Sequence, residues 1–172
     1  MIRPRLRLQG PAQEAALLAG ARRAGLYLSP LHIALLREGE LGLRLGPCVA
    51  LLQGYADALE AELRAARALG DRRSIIQGIE AGIIRYRRAD PDEEWQLWGD
   101  TLERGGGDCE DLAAAVAAEL RVDGPPAGWA ARRTAPGARP VVYRARPGLL
   151  HVVTLAPWGV IDPSRLAGMG RE

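Results

Sequence analysis

At 172 residues and 48% hydrophobic content, the chain can bury one good core and is expected to form one domain with an elaboration. A net charge of +2 gives no strong electrostatic case for nucleic acid, although all 23 basic residues are arginine. No apolar run is long enough to span a bilayer, Met1 to Arg7 leads into Gln9, Gln13, Glu14, Arg22 and Arg23 rather than an unbroken apolar stretch, and two cysteines do not suggest a disulfide framework, so the expectation is a cytoplasmic chain with no export signal, no nucleic-acid partner and no membrane partner.

In chain order, residues 12–24 and 30–37 read as short helices, and Pro47 to Leu69 as a long one with Leu51, Tyr55, Leu59, Leu63 and Ala66 on one stripe. Cys48 opens that long helix behind Pro47. Its nearest imidazole is His32 and no orienting acid follows, so Cys48 reads as a buried structural residue. Ser74 to Arg87 reads as a further helix, with Gly78 and Gly82 on one side allowing close approach of another element. A helix headed by Cys109 follows, placing Leu112, Ala113, Val116 and Leu120 on the cysteine's own face. Residues 129–134, 141–145, 149–155 and 160–162 supply an antiparallel sheet. The fold class is therefore α+β: a helical N-terminal part over residues 1–70, then over 71–172 a helix bearing the cysteine packed on an antiparallel sheet.

The segment with most chemical content is Gly105-Gly106-Gly107-Asp108-Cys109-Glu110-Asp111. A glycine turn runs into an alanine-rich helix and leaves a cysteine in its first turn, where unpaired backbone N–H groups and the helix dipole favour a thiolate. Asp108 with Asp111 three residues on also fits a capping box, in which Cys109 is only a small buried side chain. The flanking carboxylates of Asp108, Glu110 and Asp111 oppose ionisation of the thiol.

A thiol nucleophile needs a base, and the base needs an orienting group. His151 lies in an apolar, β-branched run, Leu149 to Leu155, which reads as a buried strand. With a four-residue loop over Leu155 to Trp158, the returning strand sets His151 opposite Asp162, and directly opposed side chains share one face with Cβ atoms roughly 4.5–5.5 Å apart. The chain contains neither asparagine nor lysine, which excludes a Cys-His-Asn set and a lysine-based mechanism and leaves Asp162 as the orienter.

Tyr86, Asp90, Trp95, Thr101-Leu102, the block Gly107-Asp108-Cys109-Glu110-Asp111-Leu112-Ala113, then His151 and Ile161-Asp162-Pro163 together resemble the transglutaminase-like branch of the papain-type cysteine enzymes. Within it the similarity is to bacterial transglutaminase-like cysteine proteinases and related domains of tailed phages. It covers roughly residues 71 to 166 and leaves residues 1–70 uncovered. The resemblance implies a transglutaminase-like core with Cys109 as nucleophile, His151 as base and acid, and Asp162 as orienting carboxylate. It implies attack on an amide of a protein or peptide substrate through a thioester, with the Cys109 backbone N–H and a second donor from Gln96, Trp95 or Trp98 at the oxyanion. No cofactor is required, but acidic residues flanking the cysteine in such proteinases bind calcium, and Asp108 and Glu110 match those positions.

Two functions remain open: an active cysteine hydrolase, whether protease, peptide amidase or transamidase, and a catalytically silent structural or assembly protein. The second would be a virion component, with residues 1–70 as the docking surface for an assembly partner.

Overall fold

The computed structural model describes residues 18, 45–88, 95–127, 129, 134–146 and 149–170. The helices expected over 12–24 and 30–37 fall, Leu18 apart, outside them, as do His32, Asp90 and the Cys48 side chain. Numbered among the described residues, the elements are α1 (Leu45–Ala68), α2 (Ile75–Glu80), β1 (Arg85–Tyr86), α3 (Trp98–Arg104), β2 (Gly106–Gly107), α4 (Cys109–Val122), β3 (Arg139–Arg146), β4 (Leu149–Ala156), β5 (Gly159–Ile161) and α5 (Pro163–Leu166). The α+β class is borne out. The described strands form a three-stranded antiparallel sheet in the order β3-β4-β5 and a short parallel pair, β1-β2.

Helix α4 is the centre of the molecule. It packs on α1 along one side, on β4 and β3 along another, and meets α2 and α5 as well. Every residue from Asp111 to Arg121 is buried. The sequence predicts one apolar face against the sheet, whereas the helix is enclosed all round. That enclosure is why alanine dominates it: Ala113, Ala114, Ala115, Ala117 and Ala118 are fully buried, and a larger side chain at any of them would push a neighbouring layer away.

The long helix runs as predicted. Leu51, Tyr55, Leu59 and Leu63 of its stripe are buried, and α1 joins the same core as α4 although it lies before residue 70. Polar contacts tie the two helices further. Arg121 donates from Nη1 to Asp57 Oδ1 (2.8 Å) and Glu60 Oε2 (3.2 Å), and from Nε to the Ala138 carbonyl (2.6 Å). Arg67 of α1 pairs with Asp123 just beyond α4 at 2.6 Å.

Three predicted elements differ. The helix expected from Ser74 to Arg87 stops at Glu80: Ser74 caps it, Gly82 turns the chain at φ 69°, and Ile83 and Ile84 donate back to the Gly78 carbonyl. Gly78 does permit a close approach, since a Cβ there would lie 2.5 Å from Ile84 Cγ1. Helix α3 has no counterpart in the sequence reading; its N-terminus is capped from a distance by Glu62 of α1, which accepts from Trp98 N (2.8 Å) and Gly99 N (3.1 Å). Of the strand expected over 129–134, Trp129 and Thr134 are not in a strand and the rest lies outside the described residues.

The β4–β5 hairpin is shorter than predicted. Ala156 pairs with Gly159, Leu155 with Val160 and Thr154 with Ile161, so Pro157-Trp158 form a two-residue turn instead of a four-residue loop. The register therefore moves by two residues. Because side chains alternate with a period of two, a shift of two preserves the face while changing the partner.

Candidate active site

Gly106 and Gly107 deliver the chain to the start of α4. Gly106 has φ 156°, and a Cβ there would sit 2.1 Å from the Arg85 carbonyl oxygen on the paired strand. A Cβ on Gly107 would meet Asp111 Cβ at 2.7 Å and Oδ2 at 2.9 Å. The glycines thus let β2 and the first turn of α4 close over the Asp111 carboxylate. Asp108 is the N-cap: its side chain accepts from Asp111 N at 3.3 Å. The reciprocal half of a capping box is not made, because the Asp111 carboxylate accepts from the Gln96 backbone N–H (2.9 Å) and contacts the Tyr55 hydroxyl (2.9 Å).

Cys109 is the first residue of α4 and half-buried. Its thiol donates to Glu110 Oε2 at 2.9 Å. Burial above all, then the negative charge of Glu110, raise the thiol pKa, so the group is neutral here; the Val152 backbone N–H pulls the other way and marks where the sulfur meets β4. Val152 directly follows His151. Tyr86, paired in register with Gly107, has its phenol pushed up to about 12, chiefly by burial.

His151 is buried on β4, and its Nε2 lies 3.1 and 3.0 Å from the two oxygens of Asp162. The pairing predicted from sequence is therefore made, but by a different geometry. In the observed register Asp162 falls opposite Val153, and His151 is its diagonal neighbour on the same face. Asp162 has left the strand to become the N-cap of α5, accepting from Arg165 N at 3.1 Å, and this turns its carboxylate back toward the imidazole. Helix α4 is fixed to the same strand three residues on, where Thr154 Oγ1 donates to the Ala113 carbonyl at 2.8 Å.

The three proposed oxyanion donors fare differently. Trp98 is buried in the interior: its Nε1 donates to Glu119 Oε1 at 2.9 Å and Arg67 lies over its ring at 5.3 Å, so its N–H serves the core and not the cysteine. Trp95 is buried with its ring 4.8 Å from that of Tyr55. Gln96 is held by its backbone against Asp111, within the first turn of α4, and its buried Oε1 has no hydrogen-bond partner among the described residues. Sequence reasoning missed Tyr55 and Asp111 as the groups that hold this segment. Asp111 could have been noticed as an acid at the third helical position directly before an apolar run, Leu112 to Ala118.

Asp108 is engaged in capping and Glu110 takes the thiol proton's hydrogen bond, and among the described residues no group of three His, Cys, Asp or Glu side chains could hold a metal ion. A cleft of about 640 Å³ has Tyr86, Val116, Ile161 and Pro163 in its wall, and Cys109, His151 and Asp162 do not line it. Among the described residues no helix is long and apolar enough to cross a membrane. No protein-family model, no curated protein and no solved structure matches this chain.

Proposed function

We propose that the chain is a cysteine-dependent amide hydrolase, of the transglutaminase-like kind its motifs resemble, acting through Cys109, His151 and Asp162 on a protein or peptide substrate. The observation that carries the reading is the Asp162 carboxylate bonded to His151 Nε2 on the strand against which the helix headed by Cys109 packs. With Nε2 turned to Asp162, His151 takes the thiol proton on Nδ1. The sulfur attacks the amide carbonyl, forming a C–S bond and an oxyanion that meets the Cys109 N–H, a helix-start donor with no acceptor inside the helix. The imidazolium then protonates the leaving amine, and water or an amine releases the thioester.

The thiol in this structure donates to Glu110, so the first event is rotation of Sγ away from that carboxylate and toward His151. The same contact favours a second reading, in which the fold is kept as a catalytically silent structural or assembly component. The two diverge in one experiment: the pH dependence of iodoacetamide alkylation at Cys109, read by peptide mass spectrometry in wild type and His151→Ala. A neutral-pH reactivity that disappears with His151 supports the hydrolase. Equal, slow alkylation in both proteins sinks it in favour of the silent scaffold.

A further inference from the structure

Resting on the hydrolase reading, we infer that Asp111 and Tyr55 are positioning residues for the oxyanion side of the Cys109 site, holding Gln96 in place as the donor that completes it. Tyr55 reaches from α1 and donates to the Gln96 carbonyl oxygen, while Asp111 Oδ1 lies 2.9 Å from the Tyr55 oxygen and 2.9 Å from Gln96 N. Gln96 is thus gripped at both its N–H and its C=O, against the first turn of the helix that Cys109 heads.

Hydrogen-bond arithmetic shows how the set closes. A phenol has one proton, and Tyr55 shares it between two acceptors, the Gln96 carbonyl oxygen and Asp111 Oδ1, while the same Oδ1 accepts from the Gln96 N–H, so the three residues close one ring. Burial raises the Asp111 carboxyl to about 8, and the bonds it accepts from Gln96 and Tyr55 pull it the other way. The groups facing it are Asp108 and Glu110 at the helix start, negative or proton-sharing neighbours, and Tyr55 from α1, itself pushed up by burial and by Asp111.

The Gln96 side chain supplies the second, independent observation. It is 9% exposed, and its Oε1 is buried with no partner among the described residues. A buried amide end without a partner is rare in a structure and calls for a ligand group to meet it. Since the two ends of the amide exchange by a half-turn, Nε2 can be presented to an oxyanion from the same position.

The test uses two probes on the full chain. N-acetylglycinal, which has an aldehyde and no side chain, forms a thiohemiacetal whose C–S bond and alkoxide imitate the tetrahedral intermediate; its affinity reports the oxyanion side. Iodoacetamide alkylation of Cys109 reports the thiol alone. Tyr55→Phe and Gln96→Ala are expected to weaken aldehyde binding roughly tenfold or more while alkylation changes about twofold or less. Asp111→Asn, whose amide oxygen can still accept from Tyr55 and from Gln96, is expected to stay within about threefold of wild type, whereas Asp111→Ala follows Tyr55→Phe. Aldehyde affinity unchanged in Tyr55→Phe or in Gln96→Ala overturns the inference, and so does a parallel fall in both readouts. A wild-type protein that alkylates through His151 but binds no aldehyde overturns it while leaving the hydrolase reading standing. Alkylation independent of His151 removes both.

Discussion

The Trp98 indole N–H donates to Glu119 Oε1 at 2.9 Å, joining a tryptophan from α3 to a carboxylate in the middle of α4. The same side chain accepts from Ser74 Oγ (2.7 Å), Ile75 N (2.6 Å) and Ile76 N (3.0 Å), so it also satisfies the free N–H groups at the N-terminus of α2. Four donors from two elements converge on one buried acid. Glu119→Ala leaves them all unpaired and is expected to cost about 3 kcal/mol or more, whereas Trp98→Phe removes one bond and some packing for about 1–3 kcal/mol. Urea unfolding of the two variants checks the order. Equal, small losses would mean that water replaces the carboxylate and that the junction is not tight.

Stability should fall as pH rises toward 8. Burial, the largest cause in each case, raises the carboxyl pKa values of Asp108, Glu110, Asp111 and Glu119, Asp111 to about 8. A carboxyl that holds its proton more tightly folded than unfolded makes the native state bind more protons between the unfolded value near 4 and the folded value. Unfolding free energy therefore declines with pH above about 4, and the share of Asp111 in that decline is complete above about 8. Thermal midpoints at pH 5 and pH 8 are expected to differ by several degrees, with the lower pH more stable, and Asp111→Asn should flatten the slope. A midpoint that rises over this interval contradicts the raised carboxyl pKa values.

Much of this was legible in the sequence, and the failures have physical causes. The α1 stripe and the cysteine-headed helix follow from periodicity and from Asp108 as cap, both local signals. His151 and Asp162 were paired correctly because alternation fixes the face of a strand residue, and the face survived an error of two in register. The hairpin itself was misread, since Pro-Trp gives no strong two-residue turn signal. Helix α3 was invisible because its cap, Glu62, arrives from a helix distant in sequence. Trp98 and Glu119 are likewise a tertiary pair, and nothing near either residue announces the other.

Asp162 has two partners, and one substitution should separate them. Asp162→Asn keeps an oxygen for the Arg165 N–H, so the α5 cap persists and stability changes by less than about 1 kcal/mol. It cannot favour a charged imidazole in the same way, and the neutral-pH alkylation of Cys109 is expected to drop about tenfold or more. Asp162→Ala should lose both the cap and the reactivity. Full reactivity in the Asn variant would mean that Asp162 is a helix cap that merely touches His151.

The two glycines at the entry to α4 make a graded prediction. Gly106 combines φ 156° with a would-be Cβ only 2.1 Å from backbone, which cannot yield without breaking the β1–β2 pairing, and Gly106→Ala is expected to cost about 3 kcal/mol or more. At Gly107 the obstacle is the Asp111 side chain at 2.7 Å, itself fixed by Gln96 and Tyr55, so Gly107→Ala should cost about 1–3 kcal/mol and disturb the site more than the fold. Gly70 is the control: φ is 89° but nothing lies within 4 Å of a Cβ, so alanine there pays only the backbone term, about 1 kcal/mol. Denaturation midpoints in that order, Gly106 worst and Gly70 mildest, are the expected result. A Gly107→Ala protein with unchanged stability and unchanged aldehyde affinity would mean that the Asp111 carboxylate is free to move.

The thiol's own environment gives the sharpest reactivity prediction. Burial and the neighbouring Glu110 charge both hold Cys109 in its neutral form, and Glu110 also accepts its proton. Glu110→Gln removes the charge and weakens that acceptor while leaving burial, the helix start and His151 in place. Alkylation near neutral pH is expected to accelerate about tenfold, the effect of roughly one unit in thiol pKa. Because Glu110 lies in the first turn of α4, where a negative charge favours the helix, the same variant should be slightly less stable, by about 0.3–1 kcal/mol. Faster chemistry at lower stability would identify Glu110 as a brake on the nucleophile. Slower alkylation would instead make Glu110 the group that draws the proton from sulfur, and His151 would lose its role as first acceptor.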